Sequence, residues 1–197
     1  MIRGQGTRMA KLSSTTAGFD QSPRPYAPVA IALHWMLAVA LFAELALGWW
    51  MLEVPKTPPG LRAGWFNLHK SIGLCIALAV FALVAWRISH RVDDAPFLPR
   101  WQQRAARIGH LLLYGCMLGL PLSGYLGSAF SGYPVLFFGM RLPDWSRAWP
   151  AGKELMSTVH WTLVWLFVAM LAVHIGAALW HWFRRDGVPA RMGIPAL

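Results

Sequence analysis

Residues 155–183 read LMSTVHWTLVWLFVAMLAVHIGAALWHWF, an apolar stretch without an acidic, lysine or arginine side chain. Crossing about 30 Å of hydrocarbon takes about 20 residues of α-helix, so this stretch is long enough to span a membrane. Lipid offers no hydrogen-bonding partners to backbone N–H and C=O groups, which means that the segment must be helical. His160 and His174 lie well inside it, at a depth where ionisable side chains are rare.

Three further apolar stretches are long enough to cross a membrane, at residues 29–51, 66–88 and 108–130. Of the 197 residues, 56% are hydrophobic and only 13% are charged, whereas a soluble domain carries roughly 25% charged residues. The mean hydropathy is +0.43, and the chain contains 12 tryptophans. These values exclude a soluble globular protein, a disordered chain and a disulfide scaffold. The predicted fold is all-α, an integral membrane four-helix bundle in contact with lipid.

The excess of positive charge, a formal +10, indicates orientation in a membrane. Lys and Arg flank the apolar stretches and do not line one face, so nucleic acid is not an expected partner. Twelve of the 18 Lys and Arg residues lie before the first stretch, between the second and third (with Arg87 at the end of the second), or after the fourth. The positive-inside rule then predicts that both termini face the cytoplasm, with residues 1–25 as a flexible cytoplasmic tail.

The apolar stretches contain five histidines, and a sixth lies at the last turn of the fourth stretch. A lone histidine there is most simply a polar group that is hydrogen-bonded between helices. Several together indicate function, because ionisable side chains are costly inside a membrane. The six residues are His34, His69, His110, His160, His174 and His181. His90, in contrast, has the context of an ordinary loop residue.

Helices that alternate in direction place four of these histidines at two depths. His34 lies near the cytoplasmic start of the first stretch, whereas His69 and His160 open the second and fourth stretches on the outer side. His174 comes 14 residues after His160, which is about 21 Å deeper and about 40° from the same helical stripe. The sequence therefore predicts two pairs, His34 with His174 and His69 with His160.

Three kinds of chemistry could use such facing imidazoles. Zinc usually takes four ligands, often cysteine or carboxylate, and a proton relay needs Asp or Glu, of which only Glu44 is available. A haem iron needs one histidine on each face, and imidazole suits iron. Two haems stacked across the bilayer account for all four histidines. They would be b-type, because the chain has no Cys-x-x-Cys-His motif for covalent attachment.

Six segments carry a resemblance to a known family. They are ALHWM (32–36), FNLHKSIGL (66–74), ARIGHLLLY (106–114), LPLSGYLG (120–127), STVHWTL (157–163) and VHIGAALWHWFRRDGVPARM (173–192). With this ordered set the chain resembles the bacterial cytochrome b561 family of four-helix di-haem membrane cytochromes, related to hydrogenase cytochrome b subunits. The resemblance implies that residues 26–197 form one cytochrome b561-type transmembrane domain. It also implies that the four paired histidines are axial ligands of two non-covalent haem b groups.

Three more residues are candidates for cofactor contacts. Arg87, at the cytoplasmic end of the second stretch, is a candidate partner for a haem propionate, although a snorkelling interfacial anchor is an equal interpretation. His110 matches a family position and is expected to contact the inner haem or a propionate. His181 lies at the cytoplasmic boundary, where an imidazole could handle the proton of a quinone; a histidine that faces lipid headgroups explains it at least as well.

The predicted function is transmembrane electron transfer in the bacterial cytoplasmic membrane, between the quinone pool and an unidentified donor or acceptor at the outer face. The resemblance also implies a quinone-linked oxidoreductase reaction, the oxidation of superoxide outside coupled to quinone reduction. Outer cations that could steer this anion are Lys56, Arg62, Arg141, Arg147 and Lys153. The alternatives are a cytochrome b subunit of a larger dehydrogenase or hydrogenase, with a partner subunit, and a histidine-lined metal carrier or transporter. A homodimer is also consistent with the sequence.

Overall fold

The described part of the chain consists of four long helices and two short connecting elements. The computed structural model describes residues 25–58, 60–89, 98–143 and 145–195. The helices are α1 (Pro28–Glu53), α2 (Leu61–Ser89), α3 (Arg100–Ala129) and α4 (Pro150–Arg184). The short elements are a hairpin of β1 (Leu136–Phe137) and β2 (Met140–Arg141), and a 3₁₀ turn (Pro189–Met192). The predicted tail up to residue 24 and the loop residue His90 lie outside the described residues.

All four helices are long and apolar enough to cross a membrane, so the predicted all-α membrane bundle is confirmed. Each helix begins before its apolar stretch, and α3 does so by about two turns, on the polar segment that starts at Arg100. Proline occupies the first turn of α1 and α4, where its missing N–H costs no hydrogen bond. α4 ends at Arg184, and the left-handed backbone of the next residue, Arg185 (φ 54°), closes the last turn.

Glycines on α3 allow it to pack closely against α4, which is its most extensive helix contact. A Cβ atom at Gly119 would lie 3.0 Å from Leu163 Cδ1, and one at Gly127 would lie 3.4 Å from Met156 Cβ. Such small residues let membrane helices approach each other and gain van der Waals contact. α3 therefore forms a wall that fixes the position of α4.

The core of the bundle lies halfway between the two predicted histidine depths. Phe167, seven residues from both His160 and His174 on α4, is only 1% exposed, and Val80 of α2 is fully buried. Around these two side chains pack Leu37, Ile76, Leu113, Cys116 and Met117. Other large apolar side chains, such as Val39, point away from the bundle. Lipid is as apolar as they are, so this exposure carries no hydrophobic penalty.

The chain covers the two ends of the bundle in different ways. At the end that carries both described termini, here called the termini end, the backbone N–H of Tyr26 donates to the Arg191 carbonyl at 3.0 Å. At the opposite end, here called the hairpin end, β1 packs against α2. There the backbone N–H of Phe138 donates to the buried Ser71 hydroxyl at 2.9 Å.

The close contact between α3 and α4 makes stability sensitive to bulk at Gly119. We expect Gly119→Leu to destabilise the detergent-solubilised protein by about 1–3 kcal/mol, the usual cost of overpacking. Thermal unfolding would show this as a lower melting temperature. Gly115→Leu is the matched control, because a Cβ atom at Gly115 meets nothing within 4 Å. Equal melting temperatures for the two variants would contradict the packing described here.

Candidate cofactor site

The hairpin end holds a pair of facing imidazoles. His69, in the third turn of α2, faces His160 of α4, with ring centroids 6.4 Å apart and planes at 82°. Both side chains point into the bundle. The structure thus brings together two histidines that are 91 positions apart in the sequence.

A second pair lies at the termini end. His34 of α1 faces His174 of α4 with ring centroids 6.2 Å apart and planes at 54°. α4 therefore contributes one histidine to each pair, as the helical arithmetic predicts. Phe167 lies between the two levels and fills the space that separates them.

The separations of both pairs fit ligation of a single metal ion between two rings. A bond from an imidazole nitrogen to a metal ion is about 2.0 Å long, so two rings bonded from opposite sides have centroids about 6.3 Å apart. The observed 6.2 Å and 6.4 Å match this value. Among the described residues there is no group of three or more His, Cys, Asp and Glu side chains that could hold a bare metal ion.

The Nδ1 atoms of the hairpin-end pair have polar partners of two different kinds. His160 Nδ1 lies 3.0 Å from the Leu120 carbonyl oxygen and 3.1 Å from the Ser123 hydroxyl. His69 Nδ1 lies 2.8 Å from Glu44 Oε1, an oxygen at which the ring N–H is not directly aimed. Because each Nδ1 atom lies within 3.1 Å of a polar group of a neighbouring helix, the Nε2 atoms are the ring nitrogens left for a metal ion.

Glycines give the two hairpin-end rings their space. A Cβ atom at Gly48 of α1 would lie 3.3 Å from His69 Cε1, and one at Gly124 of α3 would lie 3.4 Å from His160 Cε1. Each ring is therefore held against the backbone of a neighbouring helix. A larger residue at Gly48 would displace the His69 ring.

His110 and Arg87, both predicted to lie near the inner cofactor, are at the termini end. The His110 ring centroid is 5.5 Å from that of His174. The Arg87 guanidinium donates to the Tyr114 hydroxyl at 2.9 Å, and Tyr114 lies one turn after His110 on α3. A permanent positive charge thus lies at this level of the bundle, a position that suits a propionate partner.

His181 lies at the same end, seven residues beyond His174 on α4, and it has a carboxylate partner. Its Nδ1 is 2.5 Å from Asp186 Oδ2, and the other Asp186 oxygen accepts the backbone N–H of Val188 at 3.2 Å. The Trp180 ring packs against the imidazole at 4.7 Å between centroids. The sequence predicts the position of His181 but does not reveal Asp186 as its partner.

Comparisons with known proteins identify one family. A family model described as prokaryotic cytochrome b561 matches residues 25–193. Cytochrome b561 homolog 2 of Escherichia coli (strain K12) is 32% identical over 171 residues, which cover 84% of this chain and 88% of the relative. Cytochrome b561 homolog 1 of the same organism is 31% identical over 169 residues, or 82% of this chain and 93% of the relative.

A more distant relative from Yersinia pestis bears the name "Probable superoxide oxidase CybB". It is 22% identical over 174 residues, which cover 86% of this chain and 96% of the relative. The family match includes all four described helices and the connections between them. The chain belongs to the prokaryotic cytochrome b561 family and is a b-type cytochrome that transfers electrons in a bacterial membrane.

Proposed function

We propose that this chain carries electrons across the cytoplasmic membrane through two haem b groups, one at each histidine pair. The observation that carries the proposal is the presence of two ring pairs at 6.2 Å and 6.4 Å, separations that suit axial ligation of iron. His34 and His174 would hold one haem, and His69 and His160 the other. The two levels lie about 21 Å apart along α4.

The protein's part in this function is to orient and shield the ligands. When bound, each haem would supply one-electron chemistry at its iron, and the two histidines of a pair would hold it. Because a histidine stands on each side, the site offers no open position to a substrate. Electron donors and acceptors must therefore react at the periphery of the bundle, near one of its two ends.

The termini end is the proposed cytoplasmic side. Basic residues begin α3 and end α4 at this end, in keeping with the positive-inside rule. They are Arg100, Arg104, Arg107, Arg184 and Arg185. The hairpin end then faces outward.

His181 is the proposed contact for quinone at the cytoplasmic side. Its pairing with Asp186 at 2.5 Å fixes Nδ1 and leaves Nε2 for a ligand. Quinone reduction consumes protons, and a histidine with a carboxylate partner can pass them on near neutral pH. Trp180 and Trp182 flank His181 and belong to the aromatic belt where a membrane-dissolved quinone reaches the interface.

Superoxide is the proposed electron donor at the hairpin end. The name of the Yersinia pestis relative suggests this substrate, and the surface charge suits an anion. Four of the five predicted outer cations are exposed: Lys56, Arg141, Arg147 and Lys153. The fifth, Arg62, instead donates to the Leu52 carbonyl at 2.9 Å and ties α2 to α1. A group of exposed cations raises the local concentration of an anionic substrate.

The first test is a reduced-minus-oxidised absorption spectrum of the purified protein with haem quantified per chain. We expect two low-spin b haems per chain, because each has two histidine ligands. One haem per chain would limit the proposal to a single level. Protein that contains no haem after expression with ample haem supply would overturn it.

Substitution of single histidines tests the pairing. His69→Ala or His160→Ala should remove mainly the hairpin-end haem, and His34→Ala or His174→Ala mainly the other, because a haem with one ligand binds weakly. Haem content and spectra of each variant are the measurements. Val173→Ala, an exposed position next to His174 on α4, is the control and should keep both haems. Four variants that all retain two haems would show that the ligand assignment is wrong.

Quinone reduction tests the role of His181. We expect His181→Ala to keep both haems and to slow reoxidation of the reduced protein by a soluble quinone about 10²-fold, the lower range for loss of a general acid. Asp186→Asn should slow it less, since the imidazole remains. Stopped-flow absorption at the haem band measures the rate. An unchanged rate in His181→Ala would place the quinone site elsewhere.

A further inference from the structure

Glu44 is a carboxylate in the interior of a membrane helix. Its side chain is only 12% exposed, and both of its oxygens are shielded from solvent. Acidic side chains at such a depth are costly and usually serve a function. Among the described residues, the polar atom beside it is His69 Nδ1, at 2.8 Å.

The contact between α1 and α2 holds this pair in register. Glu44 and Gly48 lie one turn apart on α1, and they face His69 and Gly73, one turn apart on α2. A Cβ atom at Gly73 would lie 3.4 Å from Glu44 Oε1, and one at Gly48 would lie 3.3 Å from His69 Cε1. Each glycine makes room for the polar side chain on the opposite helix, so the two side chains meet by complementary packing.

The chemistry of imidazole determines which of the two groups would donate a hydrogen bond and which would accept it. A histidine that binds a metal ion through Nε2 carries its proton on Nδ1 and must donate it to an acceptor. Glu44 Oε1, 2.8 Å from His69 Nδ1, lies within reach to be that acceptor, although the N–H is not aimed at it in this structure.

The partners of His160 and the surroundings at the termini end differ from those of His69. His160 Nδ1 has neutral partners, the Leu120 carbonyl and the Ser123 hydroxyl. At the termini end, the Arg87 guanidinium donates to the Tyr114 hydroxyl, one turn from His110 on α3. A carboxyl group therefore lies beside His69 at one level of the bundle, and a guanidinium lies at the other level.

We propose that Glu44 is a positioning residue that orients His69 and lowers the reduction potential of the hairpin-end haem relative to the other. The inference rests on the proposed ligation of a haem by His69 and His160. A carboxylate acceptor makes an imidazole a stronger donor to its metal ion, and hydrogen bonds to axial ligands tune haem potentials. The oxidised iron carries more positive charge than the reduced iron. The stronger imidazole donor and the hydrogen bond to the carboxylate would therefore stabilise the oxidised form more than the reduced form.

Electrons move spontaneously from the lower to the higher reduction potential. A lower potential at the hairpin-end haem would favour transfer from the hairpin end to the termini end.

Redox titration of the holoprotein with Glu44→Gln tests the proposal. The hairpin-end haem, identified as the one absent from His69→Ala, should shift at least tenfold toward the reduced form at a fixed ambient potential. For a one-electron couple this is a rise of about 59 mV. Its low-spin electron paramagnetic resonance signal should also move, while the other haem keeps its potential and signal. Glu53→Gln, the same change at an exposed position of α1, is the matched control.

Glu44→Asp decides the case in which Glu44→Gln loses the hairpin-end haem. Retention of that haem in Glu44→Asp, with a potential near the original, would support the requirement for a carboxylate. Its loss there too would assign Glu44 to helix packing alone and overturn the proposal. An unchanged potential in a Glu44→Gln protein that keeps both haems, or an equal shift of both haems, would overturn it as well. Two haems in His69→Ala would instead contradict the ligand assignment on which the proposal rests.

Discussion

The lack of water inside the hydrocarbon layer is the constraint on which this structure depends. A polar group there must find its partner within the protein, since lipid cannot supply one. In the described chain, His160 meets the Leu120 carbonyl, His69 meets Glu44 and Arg87 meets the Tyr114 hydroxyl. Each of these contacts joins two helices and fixes their relative rotation. The polar side chains at the proposed cofactor sites therefore also hold the helices of the bundle together.

α4 determines how the two sites relate to each other. Its packing against the glycines of α3 sets its position, and its two histidines then set the height of both pairs. α1 and α2 supply one histidine each, from opposite ends of the bundle. This division gives each level its own surroundings, a carboxylate at the hairpin end and a guanidinium at the termini end. The two levels differ because α1 carries Glu44 at one end and α2 carries Arg87 at the other. Both levels have in common a histidine from α4.

Much of this architecture can be predicted from the sequence, because it depends on the length of the apolar stretches and on the helical spacing of the histidines. Apolar length gives the four helices, and the 14 residues between His160 and His174 give two levels. The partner of Glu44 cannot be found in this way. It depends on how far α1 is rotated and shifted against α2, and many registers satisfy the same hydrophobic pattern. The pairing of Asp186 with His181 is not evident from the sequence for a related reason: it forms only because the chain turns back after Arg185.

The spacing on α4 also restricts how related sequences can differ in length. One residue inserted between His160 and His174 would rotate one histidine by about 100° relative to the other, which would turn it out of the bundle. Deletion of a single residue would do the same in the opposite sense. Insertions and deletions should therefore accumulate in the connections, such as the segment around the hairpin, while this interval keeps its length. An alignment of many relatives would show this as a gap-free block centred on Phe167.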